Sequence, residues 1–157
     1  MGQNSGPRRN ATSSEMTKKR TDRAGMEEAA AKLRTAGLRP TRQRVALAGL
    51  LFHKGHRHLT AESLHAEAAG AGVRVSLATV YNTLHQFTEA GMLHQVVVDA
   101  SRSYFDTNTS SHQHFYSEDE GALIDIPGET IAVAGVPAPP KGMAVDRVDV
   151  VVRIKRA

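Results

Sequence analysis

The sequence predicts an α+β fold: an N-terminal winged helix-turn-helix domain followed by a small α/β dimerisation domain. Three observations support this prediction. Four helical patterns come first, a β-hairpin pattern follows them, and short strand patterns occupy the rest of the chain. Helices followed by a hairpin are the order of a winged helix-turn-helix, in which the hairpin forms the wing and the preceding helix is the recognition helix.

The fourth helix is predicted over residues 76–91, S-L-A-T-V-Y-N-T-L-H-Q-F-T-E-A-G. Ser76 can cap its start and Gly91 can end it. One face, predicted to point inward, carries apolar residues at helical spacing, namely Leu77, Val80, Leu84 and Phe87. The opposite face carries small or amide side chains without charge, namely Ala78, Thr79, Asn82, Thr83 and Gln86. Such groups can contact base edges in a DNA major groove, although an ordinary exposed helix is the alternative.

Three earlier helices are predicted over residues 26–36, 41–52 and 60–70, each with a cap residue, a glycine or a proline at its boundary. Residues 1–24 have almost nothing to bury, which predicts a disordered basic tail. The winged-helix domain is therefore assigned to residues 25–106.

Strand patterns begin after the fourth helix. Residues 92–98 and 103–106 predict the hairpin, and the polar segment 107–111, T-N-T-S-S, predicts a hinge. Residues 112–157 form the second module, with strands predicted over 114–117, 122–126 and 145–154. Because three short strands cannot close a core alone, this module predicts a homodimer.

Composition narrows the function classes. The chain has 157 residues, a formal charge of +4 and no cysteine, which excludes disulfides, thiol catalysis and Cys-based structural zinc. Residues 1–24 carry a net +4 and residues 111–157 a net −2, which suggests an anionic partner for the front of the chain. With no apolar run of membrane-spanning length and no signal-peptide pattern, a cytoplasmic protein without a membrane partner is expected.

Eight histidines invite a metal interpretation, and two of them have suggestive spacing. His112 and His114 lie two positions apart at the start of a predicted strand, so their side chains leave the same face about 7 Å apart. Two such imidazoles can converge on one metal ion or one porphyrin face, whereas a plain surface pair is the alternative.

Several segments together resemble the ferric uptake regulator family. They are R-H-L-T-A-E-S-L-H, S-L-A-T-V-Y-N-T-L-H-Q-F-T-E-A-G, S-Y-F-D and H-Q-H-F, in this order and spacing, and the resemblance covers roughly residues 26–157. It implies a winged-helix domain, a dimerisation domain and a metal site that joins the two. The implied ligands are His58, Asp106, His112 and His114, a set that suits Fe, Mn, Zn or Ni.

The chain departs from the family pattern at two places. The Cys-x-x-Cys zinc pairs of typical members are absent. A further site of the dimerisation domain is expected to be lost, because Ser111, Gln113 and Lys141 stand at its positions and only Asp125 is acidic.

The segments S-H-Q-H-F, D-I-P, V-P-A-P-P-K-G-M and D-V-V-V-R-I resemble the iron response regulator branch of the family. This resemblance implies heme binding through His112 and His114. The leading hypothesis is therefore a repressor of iron and heme homeostasis genes that is switched by heme. The alternative is a regulator that senses Fe, Mn or Zn directly at the hinge site.

The family resemblance also implies which residues contact double-stranded DNA. Thr79, Tyr81 and Asn82 match reading positions of the recognition helix, with Tyr81 against a thymine methyl group. Arg39 and Arg42 match basic residues that contact phosphates or the minor groove, although a solvated basic corner is the alternative for them.

Other function classes are not favoured. A metallohydrolase needs an open coordination position beside a general base, and the sequence has no H-E-x-x-H and no paired carboxylates near His112. A pure interaction module would show no salt-dependent affinity for DNA, which distinguishes it from a regulator.

Overall fold

The computed structural model describes residues 13–157, which form four helices and six strands. The helices are α1 (Ser13–Thr35), α2 (Arg42–Phe52), α3 (Ala61–Gly70) and α4 (Leu77–Glu89). The strands are β1 (His58–Leu59), β2 (His94–Asp99), β3 (Arg102–Asp106), β4 (Gln113–Ser117), β5 (Ala122–Ile126) and β6 (Val151–Ile154). The predicted α+β class is confirmed: the helices and a first sheet precede a second, smaller sheet.

Helix α1 begins much earlier than the sequence argument placed it. The prediction of a disordered tail over residues 1–24 is wrong for residues 13–24, and residues 1–12 lie outside the described part of the chain. This segment has little to bury, but its Lys, Arg, Glu and Met residues are good helix formers even when exposed. An ion pair between Arg23 and Glu27, one turn apart, adds a small stabilisation.

Most of helix α1 is exposed and carries charged side chains. Its first sixteen residues are exposed, and only Ala29 and Leu33 near its end are buried. None of the helices within residues 13–157 is long and apolar enough to cross a membrane.

The other helices start at the predicted residues. The side chains of Thr41, Thr60 and Ser76 each accept a hydrogen bond from a backbone N–H in the first turn of α2, α3 and α4. Gly91 follows α4 with a φ of 74°, a left-handed conformation that favours glycine. These local signals are sufficient to fix both the boundaries and the spacing of the helices.

The main hydrophobic core lies between the helices and the first sheet. Val80, Leu84 and Phe87 of α4 are buried in it, as the helical spacing predicts. Thr83, predicted on the outer face, is buried instead because it lies three residues after Val80 and four before Phe87 on the same face. Leu77, predicted to face inward, is exposed in the first turn of α4.

The first sheet has the strand order β1-β3-β2, so the predicted hairpin gains a third strand. The two-residue strand β1 was not predicted. It pairs antiparallel with β3 so that His58 lies opposite Asp106 and Leu59 lies opposite Phe105. This register brings the start of α3 beside the end of the wing.

The second sheet has the order β5-β4-β6, antiparallel between β4 and β5 and parallel between β4 and β6. The strand predicted over 145–154 forms only from Val151 onward. Immediately before it, Arg147 donates a hydrogen bond of 3.0 Å to the Gln95 carbonyl of β2. Arg147 therefore contacts the first sheet, whereas the Val150 carbonyl already accepts a hydrogen bond of 3.2 Å from the His114 N–H of β4.

A second hydrophobic cluster joins the two sheets. Val96, Val98 and Tyr104 from the wing pack with Tyr116 and Leu123 from the second sheet. At its margin, the Tyr104 hydroxyl donates to the Gly121 carbonyl over 2.5 Å. The first sheet is thus packed against the second sheet through this cluster and against the helices through the main core.

Candidate metal centre

Three imidazoles and two carboxylates converge where the two sheets meet. One ligand atom from each lies within 4.8 Å of all the others, and the five residues are His58, Asp106, His112, His114 and Asp125. The first four are the residues that the sequence named, and Asp125 is an addition. Within residues 13–157, no other group of this kind lies close enough together to hold an ion.

The sheet registers place these side chains. His58 and Asp106 lie opposite each other in the first sheet, and His114 and Asp125 lie opposite each other in the second. Side chains of directly opposed residues share a face of the sheet with their Cβ atoms about 5 Å apart. The cluster is therefore formed by two cross-strand pairs, one from each domain, with His112 just before β4.

Asp106 is at the centre of the cluster and its side chain is only 1% exposed. Its Oδ1 accepts a hydrogen bond of 2.8 Å from the backbone N–H of Asn108, which orients the carboxylate. Its Oδ2 lies 2.9 Å from Nε2 of His112, 3.1 Å from Nε2 of His114 and 3.4 Å from Nε2 of His58. One carboxylate oxygen thus faces three imidazole nitrogens.

Asp125 closes the outer side of the cluster. Its Oδ1 lies 2.7 Å from Nε2 of His58, 3.3 Å from that of His112 and 3.5 Å from that of His114. Because its side chain is 42% exposed, this carboxylate is the most solvent-accessible of the five groups. An ion would reach the cluster most readily from this side.

The hydrogen bonding of the imidazoles favours a cation among them. His112 Nδ1 lies 2.8 Å from the Ser110 carbonyl, a contact that requires a proton on Nδ1, so the Nε2 atom of the neutral imidazole carries a lone pair directed at Asp106. His58 Nε2 is buried and makes no well-directed hydrogen bond to any described residue. Lone pairs directed at carboxylate oxygens repel one another unless a proton or a metal ion lies between them.

Electrostatics within the cluster shift two pKa values. Burial alone would raise the pKa of Asp106, but the hydrogen bond from His114, the nearby His58 imidazole and the hydrogen bond from the Asn108 N–H outweigh it and hold this pKa well below its ordinary value. Burial lowers the pKa of His58, but Asp106 and then Asp125 more than compensate, so the net pKa is raised. Both shifts favour positive charge beside the carboxylates.

The donor set limits the class of ion. Three imidazole nitrogens and two carboxylate oxygens suit Mn, Fe, Zn or Ni in the divalent state, and a soft thiolate ligand is absent. Five protein donors also exceed the four of a tetrahedral structural zinc site. The cluster fits a divalent ion without any need for cysteine.

The residues predicted to contact DNA lie on the outer surface of α4 and just before and within α2. Tyr81 and Asn82 are exposed, and Arg39 and Arg42 are exposed near the start of α2. Thr79 is half-buried. Its backbone N–H donates to the Ser76 hydroxyl oxygen over 3.1 Å, and the Ser76 hydroxyl donates to the Thr79 hydroxyl oxygen over 2.9 Å.

Arg44 and Gln86, which lie close to these residues, form hydrogen bonds with each other. Arg44 donates from Nε and Nη2 to the side-chain oxygen of Gln86, over 3.2 Å and 2.9 Å. It also donates from Nη1 to the Arg39 carbonyl over 3.0 Å. Gln86 was predicted as a group that can contact bases, but its acceptor oxygen is occupied by this contact between α2 and α4.

The sequence and the fold match known proteins. Residues 35–149 match the model of the ferric uptake regulator family. The chain belongs to this family. A peroxide-responsive repressor, PerR, of Staphylococcus aureus (strain Mu50 / ATCC 700699) is 36% identical over 100 residues, which cover 64% of this chain and 67% of that protein.

Two solved structures of the family share the architecture. The ferric uptake regulator of Pseudomonas aeruginosa with manganese superposes with a TM-score of 0.61 and 25% identity, covering 82% of this chain and 97% of that one. The ferric uptake regulator of Vibrio cholerae superposes with a TM-score of 0.62 and 22% identity, covering 81% and 98%.

Asp125 is the site residue that the sequence argument misplaced. It was assigned as the remnant of a further site in the dimerisation domain, whereas the structure puts it in the cluster with His58. The β4–β5 register is what places Asp125 opposite His114. The signal available in the sequence was the acidic residue within the β5 pattern, L-I-D-I.

Proposed function

We propose that this member of the ferric uptake regulator family is a sequence-specific DNA-binding transcription regulator, mainly a repressor, controlled by a divalent metal ion. This proposal is supported by one observation: the five clustered side chains come from both domains of the chain. We assign residues 25–106 to DNA binding, 107–111 to the hinge and 112–157 to dimerisation and sensing. A bound ion would neutralise the clustered carboxylates and link the two domains.

The proposed control follows from ligand geometry. His58 and Asp106 belong to the winged-helix domain, whereas His114 and Asp125 belong to the second domain. All ligands can be satisfied only when the two domains hold one relative orientation, so ion binding stabilises that orientation over others. Coupling of this kind is typically worth about 1–3 kcal/mol between two sites.

Heme is the competing signal, implied by the resemblance to the iron response regulator branch. The side chains of His112 and His114 are 7% and 6% exposed, and both point their Nε2 atoms at Asp106. A porphyrin would have to open the cluster before either imidazole became an axial ligand. This burial supports a small ion over heme as the ligand of the described conformation.

DNA recognition is assigned to α4 and to the start of α2. Thr79, Tyr81 and Asn82 would reach base edges in the major groove, and Arg39 and Arg42 would contact phosphates. The exposure of Tyr81, Asn82 and the two arginines supports this assignment.

The second domain is proposed to bind a second copy of the chain. Ile124 on β5 and Ile154 on β6 are exposed, as are five other apolar side chains of the same domain: Val133, Val136, Met143, Val145 and Val148. Exposed apolar area and open sheet edges of this kind are stabilised by association. A two-fold dimer would present two recognition helices to a palindromic operator.

A peroxide response is a second candidate function. It is favoured by the 36% sequence identity to the peroxide-responsive repressor of Staphylococcus aureus. Thiol oxidation is not available to a chain without cysteine. The cluster of three histidines and two aspartates is the place where a redox-active ion such as iron can be held.

The test begins with a duplex selected from a random pool by the manganese-loaded protein. Fluorescence anisotropy at fixed salt then compares this duplex with a scrambled one, for chelator-treated protein, for Mn(II)-loaded protein and for protein with added heme. We expect tight, sequence-dependent binding to change with Mn(II) and to respond little to heme. A Soret shift together with a heme-dependent change in affinity would instead support the heme hypothesis.

The peroxide candidate is tested with the same duplex. Protein loaded with Fe(II) and protein loaded with Mn(II) are each exposed to hydrogen peroxide before the affinity is measured. A peroxide sensor loses DNA affinity in the iron-loaded form only, whereas equal responses of the two forms contradict this candidate.

A further inference from the structure

A hydrogen bond fixes the exposed ring of Tyr81 on the predicted recognition helix. The Tyr81 hydroxyl on α4 donates to Oε1 of Glu62 in the first turn of α3, over 2.6 Å. Tyr81 is 37% exposed, so its ring stands at the surface while its tip is tied to the neighbouring helix. The two residues are far apart in sequence and meet only because α3 packs on α4.

The flat side of the same ring is supported as well. The Tyr81 ring stacks on the ring of His85, one turn later in α4, with centroids 6.5 Å apart and an interplanar angle of 22°. His85 in turn contacts the ring of the buried Phe105 edge-on, with centroids 5.8 Å apart. The chain of contacts anchors an exposed side chain to the core.

These contacts determine what Tyr81 can offer to a partner. A phenol hydroxyl has one proton, and here that proton is donated to a carboxylate. The exposed part of the ring then offers an apolar edge rather than a hydrogen-bond donor. In the major groove of DNA, the apolar feature that such an edge can recognise is the methyl group of thymine.

We propose that Glu62 is a positioning residue that sets sequence specificity by holding Tyr81 in the orientation that presents its apolar edge. This inference rests on the proposed function, in which α4 contacts DNA. Glu62 itself touches no base in this arrangement, and its effect passes through the hydroxyl of Tyr81.

The chemistry of Glu62 supports a role in specificity rather than in affinity. A carboxylate beside a DNA-contacting helix repels the phosphates, so its presence weakens binding to every duplex. The negative charge does interact favourably with the N-terminus of α3, but this contributes to the stability of the helix and not to DNA binding. The hydrogen bond raises the pKa of Tyr81 and lowers that of Glu62, which keeps the phenol protonated and the carboxylate ionised as donor and acceptor.

The alternative role of Glu62 is a brace between α3 and α4 that only stabilises the fold. In both roles Glu62→Ala can lower the stability of the fold, so a stability measurement alone does not distinguish them. The distinguishing quantity is the ratio of affinities for two duplexes that differ by a single methyl group. A brace without a positioning role leaves this ratio unchanged.

The experiment uses full-length Mn(II)-loaded protein and the duplex that the wild-type protein selects from a random pool. Each thymine of that duplex is replaced in turn by deoxyuridine, which removes only the methyl group. The variants are Glu62→Ala, Glu62→Gln, which keeps an acceptor oxygen, Tyr81→Phe, and the double variant Glu62→Ala with Tyr81→Phe. Glu89→Ala, which removes an exposed carboxylate at the other end of α4, is the matched control.

For the wild-type protein we expect about a four-fold loss of affinity at one thymine position, the effect of one methyl group. Glu62→Ala and Tyr81→Phe should each bring this ratio close to one, and the double variant should be no different from either. Glu62→Gln and Glu89→Ala should keep the ratio while binding all duplexes more tightly. Melting temperatures measured alongside report any contribution to stability.

Two outcomes overturn the inference, and they are distinguishable. If the wild-type protein selects a duplex and discriminates thymine from deoxyuridine, but Glu62→Ala retains that ratio, Glu62 does not position Tyr81 and the proposed function stands. If the wild-type protein selects no duplex, the proposed function fails and this inference fails with it.

Discussion

Nε2 of His58 lies 2.7 Å from Oδ1 of Asp125, and this contact joins the first strand of the wing sheet to the second sheet. The Asp125 side chain is 42% exposed, and the His58 nitrogen lacks a well-directed hydrogen bond. A contact between domains made by two metal-ligand types is most simply explained by a shared ion.

Replacing Asp125 by asparagine tests whether it is a ligand. The variant removes a charge next to His58 while retaining the shape of the side chain, so we expect Mn(II) affinity to fall by at least about ten-fold. Electron paramagnetic resonance of free Mn(II) measures the change. Asp119→Asn on the β4–β5 turn is the matched control and should bind like the wild type. If the Asp125 variant binds Mn(II) as tightly as the wild type, Asp125 is not a ligand of the site.

Stability of the metal-free protein should depend on pH in a defined direction. The pKa of His58 is raised in the folded chain above its ordinary value of 6.5, so protonated His58 stabilises the fold below that pH. This stabilisation is lost as pH rises through the raised pKa. Thermal melts of chelator-treated protein should therefore show a falling melting temperature from about pH 6 to pH 8.

Mn(II) provides the control for this pH effect. Because the ion requires unprotonated imidazoles, its stabilising effect should be largest at high pH, where the metal-free protein is weakest. The Asp106 carboxylate stabilises the fold above its lowered pKa. Its contribution is therefore lost only in strong acid and does not change between pH 6 and pH 8. A metal-free melting temperature that rises between pH 6 and pH 8 would contradict the protonated His58.

Arg42 and Tyr81 should affect DNA binding in different ways. Arg42 is exposed near the start of α2, so Arg42→Ala should weaken binding to all duplexes similarly and lower the salt slope by about one unit. Tyr81→Ala should reduce discrimination between the selected and the scrambled duplex. Anisotropy over a salt series measures both quantities. If Tyr81→Ala weakens both duplexes equally, α4 is not the recognition helix.

The oligomeric state tests the role of the second sheet. Ile124 is 46% exposed on β5 and Val97 is 61% exposed on β2, so the two offer a matched comparison. Sedimentation at micromolar concentration should show a dimer, which Ile124→Asp weakens and Val97→Asp leaves intact. A wild-type monomer at that concentration would remove the dimer and with it any palindromic operator.

The parts of the fold that local sequence determines were predictable. The cap residues Thr41, Thr60 and Ser76 act on a backbone N–H within one turn, so the starts of α2, α3 and α4 follow from neighbouring residues. The wing hairpin follows from alternation and a turn in the same short segment. The start of α1 was missed because the lack of apolar residues argues against packing but not against an exposed helix.

Features that depend on strand register were not predictable from the chain alone. The strand β1 has two residues, and its pairing of His58 with Asp106 depends on contacts between distant segments. The same is true of Asp125, whose place opposite His114 follows from the β4–β5 register. Family resemblance gave four members of the cluster, whereas the fifth required the geometry.

The central claim is that one ion is held jointly by both domains, and calorimetric titration of Mn(II) tests it most directly. His58→Ala changes only the winged-helix domain and His114→Ala only the second domain, while His53→Ala on the outside of the helices is the control. The claim predicts one ion per chain, with both site variants weakened at least about ten-fold and the control unchanged. Wild-type affinity in either His58→Ala or His114→Ala would contradict a site shared between the domains.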